Sequence, residues 1–168
     1  TVQRKHAYRH AGAIEAGYLL DEMYVEAIAD GSHLPAELLQ LIYKVKGPCR
    51  VCLVTDSMCA AGMPDGEYSL GGVPCIKEDG VAKLMDRSAF AGSVATTDML
   101  VRTFRKLTGA PLYDVVRMAS LTPAEMLGIE TRTGSIQVGK AADLLVFDED
   151  VQLKHIVVGA RTEFSEFQ

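Results

Sequence analysis

A strand, a helix and a second strand follow one another within residues 23–55, and this order constrains the fold more than any other feature. The apolar run Met23–Ala29 is typical of a strand. After Pro35, which suits the first turn of a helix, apolar residues recur at helical spacing, namely Leu38, Leu41, Ile42 and Val45. Val51–Thr55 is a short strand of the buried type. Because such a crossover joins parallel strands, the sequence predicts an α/β fold.

Polar residues that can do chemistry follow each predicted strand. The first strand leads into Asp30-Gly31-Ser32-His33, and the second ends at Asp56. In parallel α/β barrels, catalytic side chains lie where strands end. A histidine here could bind a substrate oxygen, polarise a carbonyl or ligate a metal, and an aspartate could act as general base and then as acid. From spacing alone, a loop histidine without a role and an aspartate that caps a turn are equally good interpretations.

The remaining chain divides into an excursion, a helical stretch and a strand-rich tail. The Gly- and Pro-rich residues 58–80, together with Val81–Leu84, predict a hairpin excursion at about 63–84. Helices are predicted over 97–107, 111–119 and 122–128, the last with Thr122 as its cap and Pro123 at its first position. In the tail, residues 142–148 and 153–158 predict two strands around an acidic turn.

Composition and charge exclude several classes of protein. The net charge is -5, and no block of Lys or Arg is present, which argues against partners such as nucleic acid or an anionic membrane surface. No apolar run is long enough to span a bilayer. With 48% hydrophobic residues the chain can build a core, so wholesale disorder is not expected.

The four cysteines include one CxxC pair, Cys49 and Cys52. A zinc site needs a second such pair or nearby histidines, and Cys59 and Cys75 do not form one. Cys52 lies inside a predicted strand, where it is expected to act as a small apolar filler. Reduced thiols of this kind are typical of a cytoplasmic protein.

Several motifs in a fixed order resemble those of N-acetylglucosamine-6-phosphate deacetylases, a family of the amidohydrolase superfamily. They are Ile28–His33, Leu53–Gly62 with its Thr55-Asp56-Ser57-Met58, Phe90–Ser93 and Val116–Ala124. The tail segment Gly134–Leu144 is shared more widely, because dihydroorotases and cytosine deaminases carry similar residues. The specificity therefore lies in the combination of the earlier motifs, which together cover nearly the whole chain.

This resemblance implies a fold, a reaction and a cofactor. The family forms a metal-dependent (β/α)8 barrel with a small β-sandwich, so residues 1–133 would be the C-terminal part of the barrel and residues 134–168 strands of the sandwich. The reaction would be hydrolysis of N-acetylglucosamine 6-phosphate to glucosamine 6-phosphate and acetate in amino-sugar breakdown. The full-length protein would use a divalent metal, zinc or iron, and would form a homo-oligomer, a dimer, with a sugar phosphate as its substrate.

The resemblance also assigns roles to single residues. Asp56 would be the catalytic acid and base, and His33 would hold oxygens of the sugar or the phosphate. The other predicted substrate-binding residues are Asp30, Gly31, Ser32, Phe90, Ala91 and Gly92. An arginine near the N-terminus would meet the phosphate. Arg9 in Arg9-His10-Ala11-Gly12 keeps the Arg and Gly of the family's Arg-x-Pro-Gly, and Arg4 is the alternative.

One part of the family's site has no counterpart in this sequence. The family's metal ligands, a glutamate and two histidines, precede these motifs, and nothing in Thr1–Ala29 matches their His-x-x-Asn-Ala-Met segment. We therefore expect no metal bound by this chain and no activity from it alone. Two other interpretations stay open: a different amidohydrolase, dihydroorotase-like or deaminase-like, and a non-catalytic fragment that associates through an open sheet edge.

Overall fold

The computed structural model describes residues 3–5 and 8–166, and within residues 3–10 it describes only two strands. These strands, β1 (Gln3–Lys5) and β2 (Tyr8–His10), pair in antiparallel fashion, and helix α1 (Ala13–Leu19) follows them. None of the three elements was predicted, because the two strands are short and polar and the helix has only seven residues. None of the described helices has the length and apolar character needed to cross a membrane.

The predicted strand–helix–strand crossover is confirmed. Strands β3 (Val25–Ala27) and β4 (Val51–Leu53) pair in parallel, and helix α2 (Ala36–Lys46) connects them. Both strands are shorter than predicted, since only three residues of each make ladder hydrogen bonds. Pro35 caps α2 instead of lying in its first turn. The buried face of α2 holds Leu39 and Ile42, whereas Leu41 and Val45 of the predicted apolar spacing are each 45% exposed, so the predicted face is correct only in part.

The hairpin excursion is also confirmed, and it has three strands. β5 (Gly66–Leu70), β6 (Val73–Glu78) and β7 (Val81–Leu84) form an antiparallel sheet in this order. A small core of its own packs beneath the sheet and consists of Met58, Ala60, Cys75, Ala82 and Ala91.

Three helices follow and complete the main core. They are α3 (Thr97–Thr108), α4 (Leu112–Ala119) and α5 (Leu121–Met126). The prediction that Thr122 caps the last helix is wrong, because α5 begins earlier and Thr122 is fully buried within it. Its hydroxyl donates instead to the Pro48 carbonyl at 2.7 Å, across 74 residues of chain. The hydrogen-bond acceptor of Thr122 is therefore distant in the sequence, so the local sequence could not predict it.

The main hydrophobic core joins α2, α3 and α4 to the parallel strands. Its largest fully buried apolar side chains are Leu39, Val51, Leu100, Phe104, Val115 and Met118. Apolar burial of this kind is the main stabilising contribution in a small domain. The parallel pair that leads to the candidate site therefore rests directly on the best-packed part of the molecule.

The tail forms a fourth sheet beside these helices. β8 (Leu144–Phe147), β9 (Leu153–Val158) and β10 (Arg161–Ser165) are antiparallel, with β9 in the middle. The first two were predicted and β10 was not, since Arg161–Ser165 is polar and exposed. Arg102 and Arg105 of α3 donate to carbonyls at the β8–β9 turn, at 2.9 and 2.7 Å. The division into two domains at residue 133 stays a prediction.

Candidate active site

The loop after β3 is organised around the carboxylate of Asp30. Its Oδ1 accepts the backbone N–H groups of Ser32 and His33, each at 2.9 Å. Its Oδ2 lies 2.7 Å from Nδ1 of the His33 ring. The Asp30 side chain is only 6% exposed and that of His33 19%, so the pair lies largely inside the loop. Gly31, with φ +85, makes the tight turn between them possible.

Two opposing effects act on the pKa of Asp30. Burial raises it, whereas the hydrogen bonds from the two backbone N–H groups and the His33 ring lower it, and the net result is a lowered pKa. Asp30 is therefore an ionised hydrogen-bond acceptor at neutral pH. Both of its oxygens are engaged by its own loop.

Phe90 brings a second segment of the chain to this loop. Its ring packs against the His33 imidazole with centroids 4.8 Å apart and an interplanar angle of 41°. Phe90 remains 43% exposed, so one part of its ring faces solvent. An exposed aromatic ring beside a histidine offers both an apolar surface and a polar group to a ligand.

Asp56 follows β4 in a backbone conformation that few residues adopt. Its φ is +48, in the left-handed region, where aspartate is better tolerated than most residues. Its carbonyl accepts the backbone N–H of Ser93 at 2.8 Å, and Met58 N–H donates to the Ser93 carbonyl at 2.9 Å. Asp56 itself is exposed. The carboxylate is thus accessible while its backbone is held by a neighbouring segment.

Gly92 lets this neighbouring segment pass close to Asp56. Its φ is +68, and a Cβ added at this position would lie 3.0 Å from the Asp56 carbonyl oxygen. On the other side, the buried Ala91 donates its N–H to the Ala82 carbonyl at 3.0 Å. The segment Phe90–Ser93 is therefore anchored to β7 as well as to the end of β4.

The structure thus connects most of the predicted site residues through one segment. Phe90 contacts His33, and Gly92 and Ser93 contact the backbone of Asp56. Asp30 and Ser32 take part through the hydrogen bonds of the His33 loop. The side chains of Arg9 and Arg4 lie outside the described part of the chain, so their contact with a phosphate stays a prediction.

Sequence reasoning did not assign a role to Ser93, although it lies in a recognised motif. Ser93 is 2% exposed and forms an isolated parallel bridge with Ser57. Its hydroxyl accepts the N–H of Ala95 at 3.0 Å, and the Ser57 hydroxyl donates to the Ala95 carbonyl. The sequence signal that could have pointed to Ser93 was the small serine at the end of the Phe90–Ser93 motif.

A metal site is not formed by the side chains that the structure describes. Among them, no group of three or more His, Cys, Asp or Glu residues is close enough to hold an ion. Of the CxxC cysteines, Cys49 is exposed and Cys52 is buried, and both are free thiols. Burial raises the pKa of the Cys52 thiol, as expected for an apolar filler.

Comparison with known proteins identifies the family of this chain. The amidohydrolase family profile matches residues 3–165. The chain is 35% identical over 157 residues to the N-acetylglucosamine-6-phosphate deacetylase of Vibrio furnissii, over 94% of this chain and 39% of that protein. It is 37% identical over 150 residues to the N-acetylgalactosamine-6-phosphate deacetylase of Escherichia coli O157:H7, over 89% of this chain and 39% of that protein.

A solved structure agrees with these sequence matches. The N-acetylglucosamine-6-phosphate deacetylase of Thermotoga maritima superposes with a TM-score of 0.86 at 37% identity, over 92% of this chain and 42% of the other. The chain therefore spans about 40% of the length of each of these three relatives. The resemblance read from the motifs is confirmed, and the chain belongs to the amidohydrolase family.

Proposed function

We propose that this chain forms the proton-transfer and substrate-binding part of an enzyme that hydrolyses N-acetylglucosamine 6-phosphate to glucosamine 6-phosphate and acetate. The observation that carries the proposal is the Phe90–Ser93 segment, which contacts both the His33 loop and the backbone of Asp56. The likeness to deacetylases over nearly the whole chain supports it. In this proposal the parallel strands β3 and β4 belong to a (β/α)8 barrel, and residues 134–168 belong to a β-sandwich.

Asp56 would move the proton in this reaction. Its exposed carboxylate accepts a proton from the water that attacks the acetyl carbonyl, which forms the new C–O bond. As the C–N bond breaks, the same group returns the proton to the leaving amine. His33 and the exposed face of Phe90 would hold the sugar, and Arg9 or Arg4 would meet the phosphate.

Amidohydrolases generally depend on a metal, and the described side chains do not supply a ligand set for one. We propose that the zinc or iron of the whole enzyme is held by other residues of the full-length protein. A homodimer of that protein is likewise part of the proposal.

Asp56→Asn in the full-length protein tests the proposed function. We expect kcat to fall by about 100-fold or more, because general acid–base catalysis contributes about that much, while substrate binding is retained. Acetate release and equilibrium binding of the sugar phosphate are the two measurements.

Asp79→Asn is the matched control for this experiment. Asp79 is also an exposed aspartate with positive φ, +53, but it lies in the β6–β7 turn, outside the proposed site. Its variant should keep the wild-type kcat. Full turnover by the Asp56 variant would contradict the assignment.

N-acetylgalactosamine 6-phosphate is the second candidate substrate, since a relative at 37% identity is named for it. The two sugars differ only in the configuration of one hydroxyl group, so they would occupy the same site. Comparing kcat/KM for both sugar phosphates decides between them, and we expect the N-acetylglucosamine compound to be preferred. If the protein releases acetate from no compound of a wider substrate panel, a dihydroorotase-like or deaminase-like enzyme is favoured instead.

A further inference from the structure

The two peptide groups that follow Asp56 are both held by Ser93. The Ser93 N–H donates to the Asp56 carbonyl at 2.8 Å, and the Ser93 carbonyl accepts the N–H of Met58 at 2.9 Å. Asp56 has φ +48, a conformation that a residue other than glycine keeps only where the surrounding structure enforces it. These two hydrogen bonds bind both peptide groups next to the unusual conformation and so help to enforce it.

The side chain of Ser93 in turn holds its own backbone in place. Its hydroxyl accepts the N–H of Ala95 at 3.0 Å, which closes a short turn over residues 93–95. Ser93 and Ala95 are only 2% and 3% exposed, so water does not replace this hydrogen bond when it is lost. The same turn presents the Ala95 carbonyl to the hydroxyl of Ser57, which donates to it. The residue directly after Asp56 is thereby connected to the Ser93 turn through its side chain as well.

The carboxylate of Asp56 has no support of its own in the described part of the chain. It is exposed, and no described residue donates a hydrogen bond to it or pairs with its charge. The position of this carboxylate is therefore set by the backbone that carries it. That backbone is the stretch which Ser93 holds.

We propose that Ser93 is a positioning residue, whose hydroxyl fixes the turn at 93–95 and thereby the backbone from which the Asp56 carboxylate reaches the substrate. This role rests on the proposed function, in which Asp56 moves the proton. Ser93 does not itself touch the substrate, because it is buried and its hydroxyl is engaged by Ala95. The hydrogen bonds between Ser93 and the Asp56 stretch do not depend on which reaction is catalysed.

Ser93→Ala in the full-length protein removes the hydroxyl and keeps the backbone groups. We expect kcat for acetate release to fall by about tenfold or more, because misplacing a catalytic group by about 1 Å can cost about 100-fold. Equilibrium binding of the sugar phosphate should be retained. Ser93→Cys keeps the size of the side chain but offers a weaker acceptor, so it should lose activity in the same way. Wild-type kcat in both variants would overturn the proposal.

Combining Ser93→Ala with Asp56→Asn separates a positioning role from a general loss of structure. If Ser93 acts through the Asp56 carboxylate, its substitution should lower kcat by no more than about twofold once that carboxylate is absent, whereas independent effects multiply. The four kcat values of wild type, both single variants and the double variant give this comparison. Losses that multiply would overturn the proposal.

Amide hydrogen exchange of the full-length protein tests the same contacts without reference to any reaction. The N–H groups of Met58 and Ser93 should be protected in the wild type, since each donates to a carbonyl, and should exchange faster in the Ser93→Ala variant. Rapid exchange in the wild type, or unchanged protection in the variant, would overturn the proposal. A wild type that releases no acetate but shows the expected exchange would defeat the proposed function alone.

Thr108→Val provides a matched control. The Thr108 hydroxyl likewise accepts the N–H of a buried alanine two residues later, Ala110, at 3.1 Å, but at the C-terminal end of α3. This variant should keep the wild-type kcat and the protection of the Met58 N–H. A comparable fall in kcat would show that the loss of any such turn hydroxyl weakens the enzyme, and would overturn the specific role of Ser93.

Discussion

Gly92 shows how much of the candidate site depends on single backbone atoms. It lies where the Phe90–Ser93 segment passes closest to the Asp56 carbonyl, with φ +68. A side chain here meets two separate obstacles: the left-handed backbone conformation and the oxygen 3.0 Å from the Cβ position. The position of Asp56 therefore depends on a residue that has no side chain.

Gly92→Ala is expected to destabilise the protein by about 2 kcal/mol or more, because the backbone strain of about 1 kcal/mol is joined by the close contact. Gly80→Ala is the control, since Gly80 has φ +76 and open space around its Cβ position. It should cost only about 1 kcal/mol, from the backbone conformation. Urea unfolding compares the two variants, and equal losses would show that the contact with Asp56 is relaxed at no cost.

Asp30 illustrates what sequence could and could not predict at this scale. The sequence placed it in the loop beside His33, where the structure has it. Its hydrogen bonds to two backbone N–H groups and to the ring depend on the turn that the loop takes through Gly31. Its role therefore follows from local geometry that residue types alone do not define.

Helices α2 and α4 are joined by a hydrogen bond that no helical pattern reveals. The Tyr43 hydroxyl donates to Asp114 Oδ2 at 2.5 Å, and the Tyr43 ring meets Phe104 edge to face. This hydrogen bond, together with burial and the charge of Asp114, raises the pKa of Tyr43 to about 12. The two helices are thereby connected through one partly buried polar pair.

Tyr43→Phe is expected to cost about 1 kcal/mol at pH 7, because it removes this hydrogen bond but keeps the ring. The raised pKa means that the contribution is present below the ordinary tyrosine pKa of about 10 and is lost as pH rises towards 12. The difference in unfolding free energy between wild type and variant should therefore shrink above pH 10. Tyr113→Phe, on the exposed face of α4, should change little at either pH.

The elements themselves were predicted to different extents. Helices α2, α3 and α4 follow from apolar periodicity, because each buries one face against the rest of the protein. Strands β8 and β9 follow from their runs of apolar residues, although most of β8 is exposed. The apolar pattern is absent from β10 and from the N-terminal strands. These strands are defined by backbone hydrogen bonds to neighbouring strands, which their side chains do not reveal. Helix α5 begins before Thr122, whose buried hydroxyl donates to the distant Pro48 carbonyl instead of capping the helix.

The whole molecule is stabilised mainly by the core between α2, α3, α4 and the parallel strands. Leu39 is fully buried there, whereas Leu41, two residues later on the same helix, is 45% exposed. Both residues have the same helix propensity, so the difference between them isolates the contribution of burial. The candidate site is built on the ends of the strands that this core supports.

Leu39→Ala should lower the free energy of unfolding by about 3 kcal/mol or more, through lost burial and a remaining cavity. Leu41→Ala should cost less than about 1 kcal/mol. Urea unfolding followed by circular dichroism gives both values, with the same dependence on urea expected for the two variants. Similar losses would mean that α2 does not pack against the core in this orientation.

The sequence by itself determined the α/β class, the parallel pair and the family, because apolar spacing and short ordered motifs are local properties of the chain. It also located His33, Asp56 and Phe90–Ser93 as separate candidates. Only the tertiary structure decided that one segment contacts both strand ends, that Gly92 must lack a side chain and that Asp30 holds the histidine ring. These features depend on atoms brought together from distant parts of the chain or by a particular turn, and their distances are not encoded in residue spacing.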